Sequence, residues 1–125
     1  MLKTTFFAAG LALAATAVSA QTEPNPDMAV SAARNQLGVL EYCQAEGHID
    51  GKAVEIQGKM IGMLPAATAE AAATAAYEKG KEGAVSAMGV EQTLAEAATA
   101  QGVEEAALCA QLAQLVEQAG AQLPQ

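Results

Sequence analysis

The sequence predicts an all-α protein: a small antiparallel bundle of four to six helices with one disulfide, preceded by a signal peptide. Alanine, the strongest helix former, is abundant along the chain. Apolar residues recur at three- and four-residue steps in several segments, as they do on one face of a helix. No segment shows the sustained alternation or the Asn-Gly turn that is typical of strands and hairpins. Because the loops are short, we expect neighbouring helices to be antiparallel.

The first 20 residues have the features of a cleavable signal peptide. Lys3 precedes an apolar run over residues 6–15, and the small residues Ser19 and Ala20 suit a signal peptidase, which predicts cleavage between Ala20 and Gln21. A membrane anchor is the alternative interpretation, but a span needs about 20 apolar residues and this run is shorter. We therefore expect a periplasmic or secreted protein.

Removal of the signal leaves 105 residues with five basic and 14 acidic side chains, a net charge of −9. This length suits one domain, and we expect a flexible lead-in at 21–24, a helical domain at 25–120 and a tail at 121–125. The acidic balance disfavours nucleic acid as a partner, because phosphates require Lys and Arg. It also disfavours electrostatic binding to anionic lipid.

Cys43 and Cys109 are predicted to form a disulfide, since an exported protein matures in an oxidising compartment. Leu, Ile and Val make up only 18 of the 105 mature residues, so the hydrophobic core is thin. Closing a loop of about 66 residues contributes roughly 4 kcal/mol of stability in the chain-entropy model. A zinc or redox site is disfavoured because there is no C-x-x-C motif and His48 is the only histidine.

The first helix is expected over residues 26–46. Asn25 is a favoured capping residue, and Pro26 suits the first helical position because that position needs no backbone N–H. Gly47 follows as a left-handed stop.

The second helix is expected over residues 51–64, after the capping residue Asp50 and before Pro65, which ends it. It contains the step from Gly58 to Gly62. In a membrane such a G-x-x-x-G step pairs helices. Here polar residues interrupt the apolar run, and we predict close packing of two soluble helices instead.

A third, Ala-rich helix is expected over residues 66–88, with a kink or loop at 79–83 as the alternative, because each glycine there costs about 1 kcal/mol relative to alanine. The last two helices are expected over 91–101 and 103–119, separated by Gly102. The closing helix has a stripe that we expect to face the core: Leu108, Cys109, Leu112, Leu115, Val116 and Ala119.

The tetrapeptide Ala-Val-Ser-Ala occurs twice, at residues 29–32 and 84–87. In so Ala-rich a chain, a chance repeat is a better explanation than an internal duplication.

No catalytic, cofactor-binding or metal-ligating set of residues is recognisable, and we expect no enzyme activity. A nucleophile would need a base and an orienting group, and the mature chain offers one histidine. The segment 56–64 is among its most aliphatic parts, and methionine side chains adapt to irregular partners. We predict an interaction surface there, formed by Ile56, Met60, Ile61, Met63 and Leu64.

Four segments, residues 31–43, 47–51, 60–65 and 76–83, are similar to small exported alphaproteobacterial proteins labelled as a pore-forming family of the early-secretory-antigenic-target (ESAT) type. The resemblance implies a helical, secreted protein that perturbs membranes, with a dimer as one option. The chain has no Trp for the Trp-x-Gly turn of the broader ESAT pattern, and it begins with a signal, so no functional residue is carried over.

The sequence therefore predicts a small exported acidic helical protein that acts by non-enzymatic interaction with a protein partner. A pore-forming protein, as the resemblance implies, is the first alternative. A periplasmic stress chaperone, active at low pH where the carboxylates become neutral, is the second. The sequence identifies neither the partner nor the oligomeric state.

Overall fold

The computed structural model describes residues 25–87 and 90–124. The predicted signal peptide, its cleavage site between Ala20 and Gln21, and the lead-in at 21–24 lie outside these residues. The described part is mostly helical, as predicted. Its elements are α1 (Pro26–Ala45), α2 (Lys52–Gly62), α3 (Glu70–Lys81), β1 (Ala84–Ala87), β2 (Val90–Thr93), α4 (Leu94–Gln101) and α5 (Glu105–Gly120).

The predicted end signals of α1 are confirmed. The Asn25 side chain accepts a hydrogen bond from the Asp27 backbone N–H at 3.0 Å, and Pro26 is the first helical residue. Gly47, just past the end of the helix, has φ 78°, a left-handed conformation that only glycine adopts at little cost.

A β-hairpin replaces the second half of the predicted third helix, and the prediction that the chain has no strands is wrong. Strands β1 and β2 pair antiparallel, with Val85 opposite Gln92. The α3 helix ends at Lys81 rather than near residue 88, and α4 begins at Leu94 rather than at residue 91. Gly83 has φ 86° and turns the chain from α3 into β1.

Buried Asn35 on α1 explains why the hairpin forms. Its side-chain amide donates to the carbonyl oxygens of Ala76 at 2.9 Å and Ala84 at 3.0 Å, and its Oδ1 accepts from the Ser86 N–H at 3.0 Å. The amide therefore bonds the outer edge of β1 as a neighbouring strand would. A two-stranded hairpin is marginal in water, and these long-range bonds hold it against α1 and α3.

Two glycines allow α1 and α3 to cross at backbone contact. A methyl group built on Gly80 lies 2.8 Å from the Val39 nitrogen, and one built on Gly38 lies 2.8 Å from the Lys81 nitrogen. Ordinary contacts begin at about 3.4 Å, so neither position has room for a side chain. Gly80 is thus a packing residue inside α3 and not a helix break.

The predicted close packing at Gly58 and Gly62 is wrong. Both glycines are exposed, and a methyl group built on either one has no neighbour within 4 Å among the described residues. The close pair is Gly38 with Gly80 instead, two glycines from different helices that no sequence spacing connects.

The predicted antiparallel arrangement holds for α1 and α2, where Gln57 bonds the Ala33 carbonyl and Ala53 packs in one cluster with Leu40. It does not hold for α1 and α3. Residues near the start of α1 contact the segment before α3, where Asp27 bonds Thr68, and residues near its end contact the end of α3. These two helices run in the same direction, because α2 lies between them in the chain.

The predicted disulfide between Cys43 and Cys109 is confirmed, with the two Cα atoms 5.7 Å apart. It joins the last turns of α1 to the first turns of α5, and both sulfur-bearing side chains are fully buried. The core consists of two apolar clusters, and this link belongs to the first of them. The first contains Val39, Cys43, Leu94, Ala98, Leu108 and Cys109, and the second contains Leu40, Ala53, Ala113 and Val116.

Candidate functional site

An apolar depression lies between the β-hairpin and the helices α4 and α5; we call it the hairpin groove. It consists of two adjoining cavities of about 280 and 200 Å³ that share Val85 and Leu112 as walls. The larger cavity is lined by Val85, Val90, Gln92, Leu94, Ala97, Gln101, Leu108 and Leu112. The smaller one continues towards α1 and is lined by Ala32, Asn35, Gln36, Val39, Val85, Ser86 and Leu112.

One face of the hairpin forms the wall of this groove. Side chains alternate between the two faces of a strand, and Val85, Gln92 and Val90 lie on the same face because Val85 pairs with Gln92. Val90 is 66% exposed although it is apolar. Asn35 fixes the other edge of β1, so the position of this wall is set by the core of the protein.

Two leucines on α5, Leu108 and Leu112, form the opposite wall, and Leu115 continues their stripe beyond the lining of either cavity. Leu108, Leu112 and Leu115 are four and three residues apart, which places them on one face of the helix. Their exposure increases along the stripe, from 8% for Leu108 to 60% for Leu115. The prediction that Leu115 and Ala119 face the core is therefore wrong, since both are exposed. Val116 is buried as predicted, and Ala113, which the predicted stripe omits, is buried beside it.

The part of the chain that forms most of the groove has only negative charges. Residues 82–124 contain six glutamates and no lysine or arginine. Glu104 is the exposed residue just before α5, and none of the residues that line the two cavities is charged. Glu91 is paired with Lys79 of α3 at 2.8 Å. Glu91 alternates with Val90 and Gln92 along β2, so this ion pair lies on the face of the hairpin away from the groove.

The five residues of the predicted α2 surface do not form one patch. Ile56 and Met60 pack against the second apolar cluster. Ile61 lines a separate cavity of about 270 Å³ beside Tyr77. Met63 is 59% exposed and, with Ile56, lines a depression between the ends of α2 and α5. Leu64 is half-buried. Nothing in the fold tests whether this region binds a partner, and it stays a prediction.

Two tyrosine–glutamate hydrogen bonds link distant parts of the chain. Tyr42 donates to Glu105 at 2.8 Å, a bond that raises the pKa of the tyrosine, and His48 Nε2 lies 3.8 Å from the same carboxylate oxygen. Tyr77 donates to Glu41, and this bond raises the pKa of Tyr77 to about 12. Each bond joins two elements of the fold, so their evident role is structural.

The described residues contain neither a cluster of metal ligands nor a membrane-spanning helix. Over residues 25–87 and 90–124 there is no group of three or more His, Cys, Asp or Glu side chains placed to hold a metal ion. Over the same residues, none of the helices is long and apolar enough to cross a membrane.

The sequence reasoning missed the hairpin groove because it missed the hairpin. One signal was present. The leucine stripe at residues 108, 112 and 115 is offset by one residue from the stripe of Cys109, Val116 and Ala113, so α5 has more apolar surface than one buried face requires.

The chain matches no protein-family model, and no curated protein or solved structure is significantly similar to it.

Proposed function

We propose that this protein acts by non-enzymatic binding of a protein partner, and that the hairpin groove is the binding surface. The supporting observation is an apolar groove whose lining includes Val90, an apolar side chain that is 66% exposed. The leucine stripe of its other wall continues along α5 to Leu115, which is 60% exposed. An apolar patch left exposed beside a polar rim is typical of interaction sites. Gln92 and Gln101 provide such a rim, with amide groups suited to hydrogen bonds.

The shape of the groove favours a polypeptide over a compact small molecule. Its two cavities lie in series and share one pair of walls, Val85 and Leu112. A ligand that fills both must present two apolar groups in succession, as the side chains of an extended or helical segment do. The walls are anchored by the disulfide and by Asn35, so the groove is preorganised and binding loses little conformational entropy.

The proposal is tested by photo-crosslinking of the oxidised chain from residue 21. A photoreactive amino acid is placed at position 90 in the groove, at position 115 at the exposed end of the leucine stripe, at position 63 on the α2 surface, or at position 28 on α1. Met28 and Met63 are apolar side chains with 58% and 59% exposure, so they are matched controls for surface accessibility. Each variant is mixed with an extract of the source cells, and the crosslinked peptides are identified by mass spectrometry.

We expect the same partner to be crosslinked from Val90 and from Leu115 and to be displaced by unlabelled protein, with no specific product from Met28. A specific product from Met63 alone would move the binding surface to α2, as the sequence suggested. Equal products from all four positions, or none, would contradict the proposal.

A further inference from the structure

We infer that the occupant of the hairpin groove is a basic, amphipathic segment of a protein, with lysine or arginine side chains flanking two or more apolar ones. This inference rests on the proposed function and adds the chemistry of the partner. It follows from the one-sided charge of the chain around the groove, together with the spacing of the two cavities.

The basic side chains are unevenly distributed along the sequence. All five basic residues of the mature chain lie between residues 34 and 81, and residues 82–124, which supply the hairpin, α4 and α5, contain none. Glu91 forms an ion pair with Lys79. Among the described residues, Glu96 and Glu104 have no cationic partner. Glu96 does bond the Thr93 N–H as part of a capping box, which still leaves its charge uncompensated.

A partner with basic residues offsets this negative charge, whereas an acidic one is repelled. Complementary charges at the rim of an interface mainly raise the association rate and exclude wrong partners. The same field repels anionic lipid headgroups, so the observations favour a protein segment over a membrane surface.

The two cavities of the groove adjoin at shared residues. Leu112 and Val85 separate the two cavities, and the leucine stripe continues past them to the exposed Leu115. A segment with apolar side chains on one face and basic ones on the other places the first in the cavities and leaves the second to offset the six glutamates of residues 82–124. This is the binding mode in which an amphipathic segment lies in a groove.

Fluorescence anisotropy with three labelled 14-residue peptides tests the inference on the oxidised chain from residue 21. The first peptide is an amphipathic helix of leucine and lysine. The second has glutamate in place of every lysine, and the third has serine in place of every leucine. We expect saturable binding of the first peptide only, weakened by raising the salt from about 0.05 to 0.5 M, because salt screens exposed charges.

Protein variants locate the binding. Val90→Asn and Leu115→Gln remove apolar contacts from exposed positions, so the fold is preserved, and each should weaken binding of the leucine–lysine peptide about tenfold. Glu104→Gln should weaken it less, and mainly at low salt. Met28→Gln and Met63→Gln, at positions of similar exposure, should leave it unchanged.

Two results distinguish failure of this inference from failure of the proposed function. If the glutamate peptide binds as tightly as the lysine peptide, and Val90→Asn weakens both, the groove binds polypeptides but does not select basic ones, and only the inference is overturned. If Val90→Asn and Leu115→Gln change the binding of no peptide, and the crosslinks from these positions are also absent, the proposed function fails as well.

Discussion

The crossing of α1 and α3 predicts opposite effects for one substitution made at two glycines. Gly80→Ala gains about 1 kcal/mol of helix propensity, but its new methyl group lies 2.8 Å from the Val39 nitrogen and closer still to the Asn35 carbonyl oxygen. These are backbone atoms that cannot rotate away, so the helices must separate. Overpacking of this kind costs about 1–3 kcal/mol and sometimes more. We expect a net loss of about 2 kcal/mol in the free energy of unfolding.

Gly58→Ala is the matched control, because Gly58 is also inside a helix but has no described neighbour within 4 Å of the added methyl group. We expect it to stabilise the protein by about 0.5–1 kcal/mol. Urea unfolding of the oxidised chain, followed by far-ultraviolet circular dichroism, measures both. With a slope of about 1–2 kcal/mol per molar urea, the Gly80→Ala midpoint should fall by about 1–2 M. Two substitutions that shift the midpoint equally would refute the close crossing.

Three further predictions concern the disulfide, the hairpin and the ionisation of a tyrosine. Replacing Cys43 and Cys109 together by alanine should lower the free energy of unfolding by roughly 4 kcal/mol, and an unchanged urea midpoint would contradict the structural role of the bond. Asn35→Ala should increase amide hydrogen exchange at Ser86, whose N–H loses its acceptor, whereas protection equal to that of the parent would show that the hairpin stands without it. The raised pKa of Tyr77 means that its stabilising contribution is complete below pH 10 and is lost as the pH rises through about 12; Tyr77→Phe should remove that part of the alkaline loss of stability in a pH series of urea midpoints, and an identical pH profile would contradict it.

The helices that the sequence predicted best are those with local end signals. Asn25 and Pro26 begin α1, Gly47 and Gly102 provide left-handed stops, and each acts within a few residues of the end that it marks. The disulfide was predictable as well, because a chain with two cysteines offers one pairing. These features depend on short-range chemistry or on composition, both of which a single sequence contains.

The hairpin was not predictable in this way, and the repeated tetrapeptide shows why. Ala-Val-Ser-Ala is helical at residues 29–32 within α1 and is strand β1 at residues 84–87. Identical residues adopt different structures because the second copy bonds Asn35, which is about 50 residues away in the chain. Tertiary contacts override local propensity here, and no pattern within residues 84–93 reports them.

The candidate site was only partly accessible to sequence reasoning for the same reason. The spacing of the α5 leucines predicts one apolar stripe, and it predicts Leu115 in the core because the sequence gives no sign of the hairpin. In the structure Leu115 is exposed. Once Val85 and Val90 are placed on the two strands of the hairpin, Leu108 and Leu112 become the opposite side of a groove. A functional surface built from two elements cannot be identified while one of them is assigned to the wrong secondary structure.

A nuclear magnetic resonance titration of the isotope-labelled, oxidised chain with the leucine–lysine peptide tests whether the hairpin groove binds a polypeptide. We expect the largest shifts of backbone amide signals at Val85, Val90 and Leu112, with little change at Met28 and Met63. Largest shifts along α2, or small shifts spread evenly over the acidic surface, would contradict it.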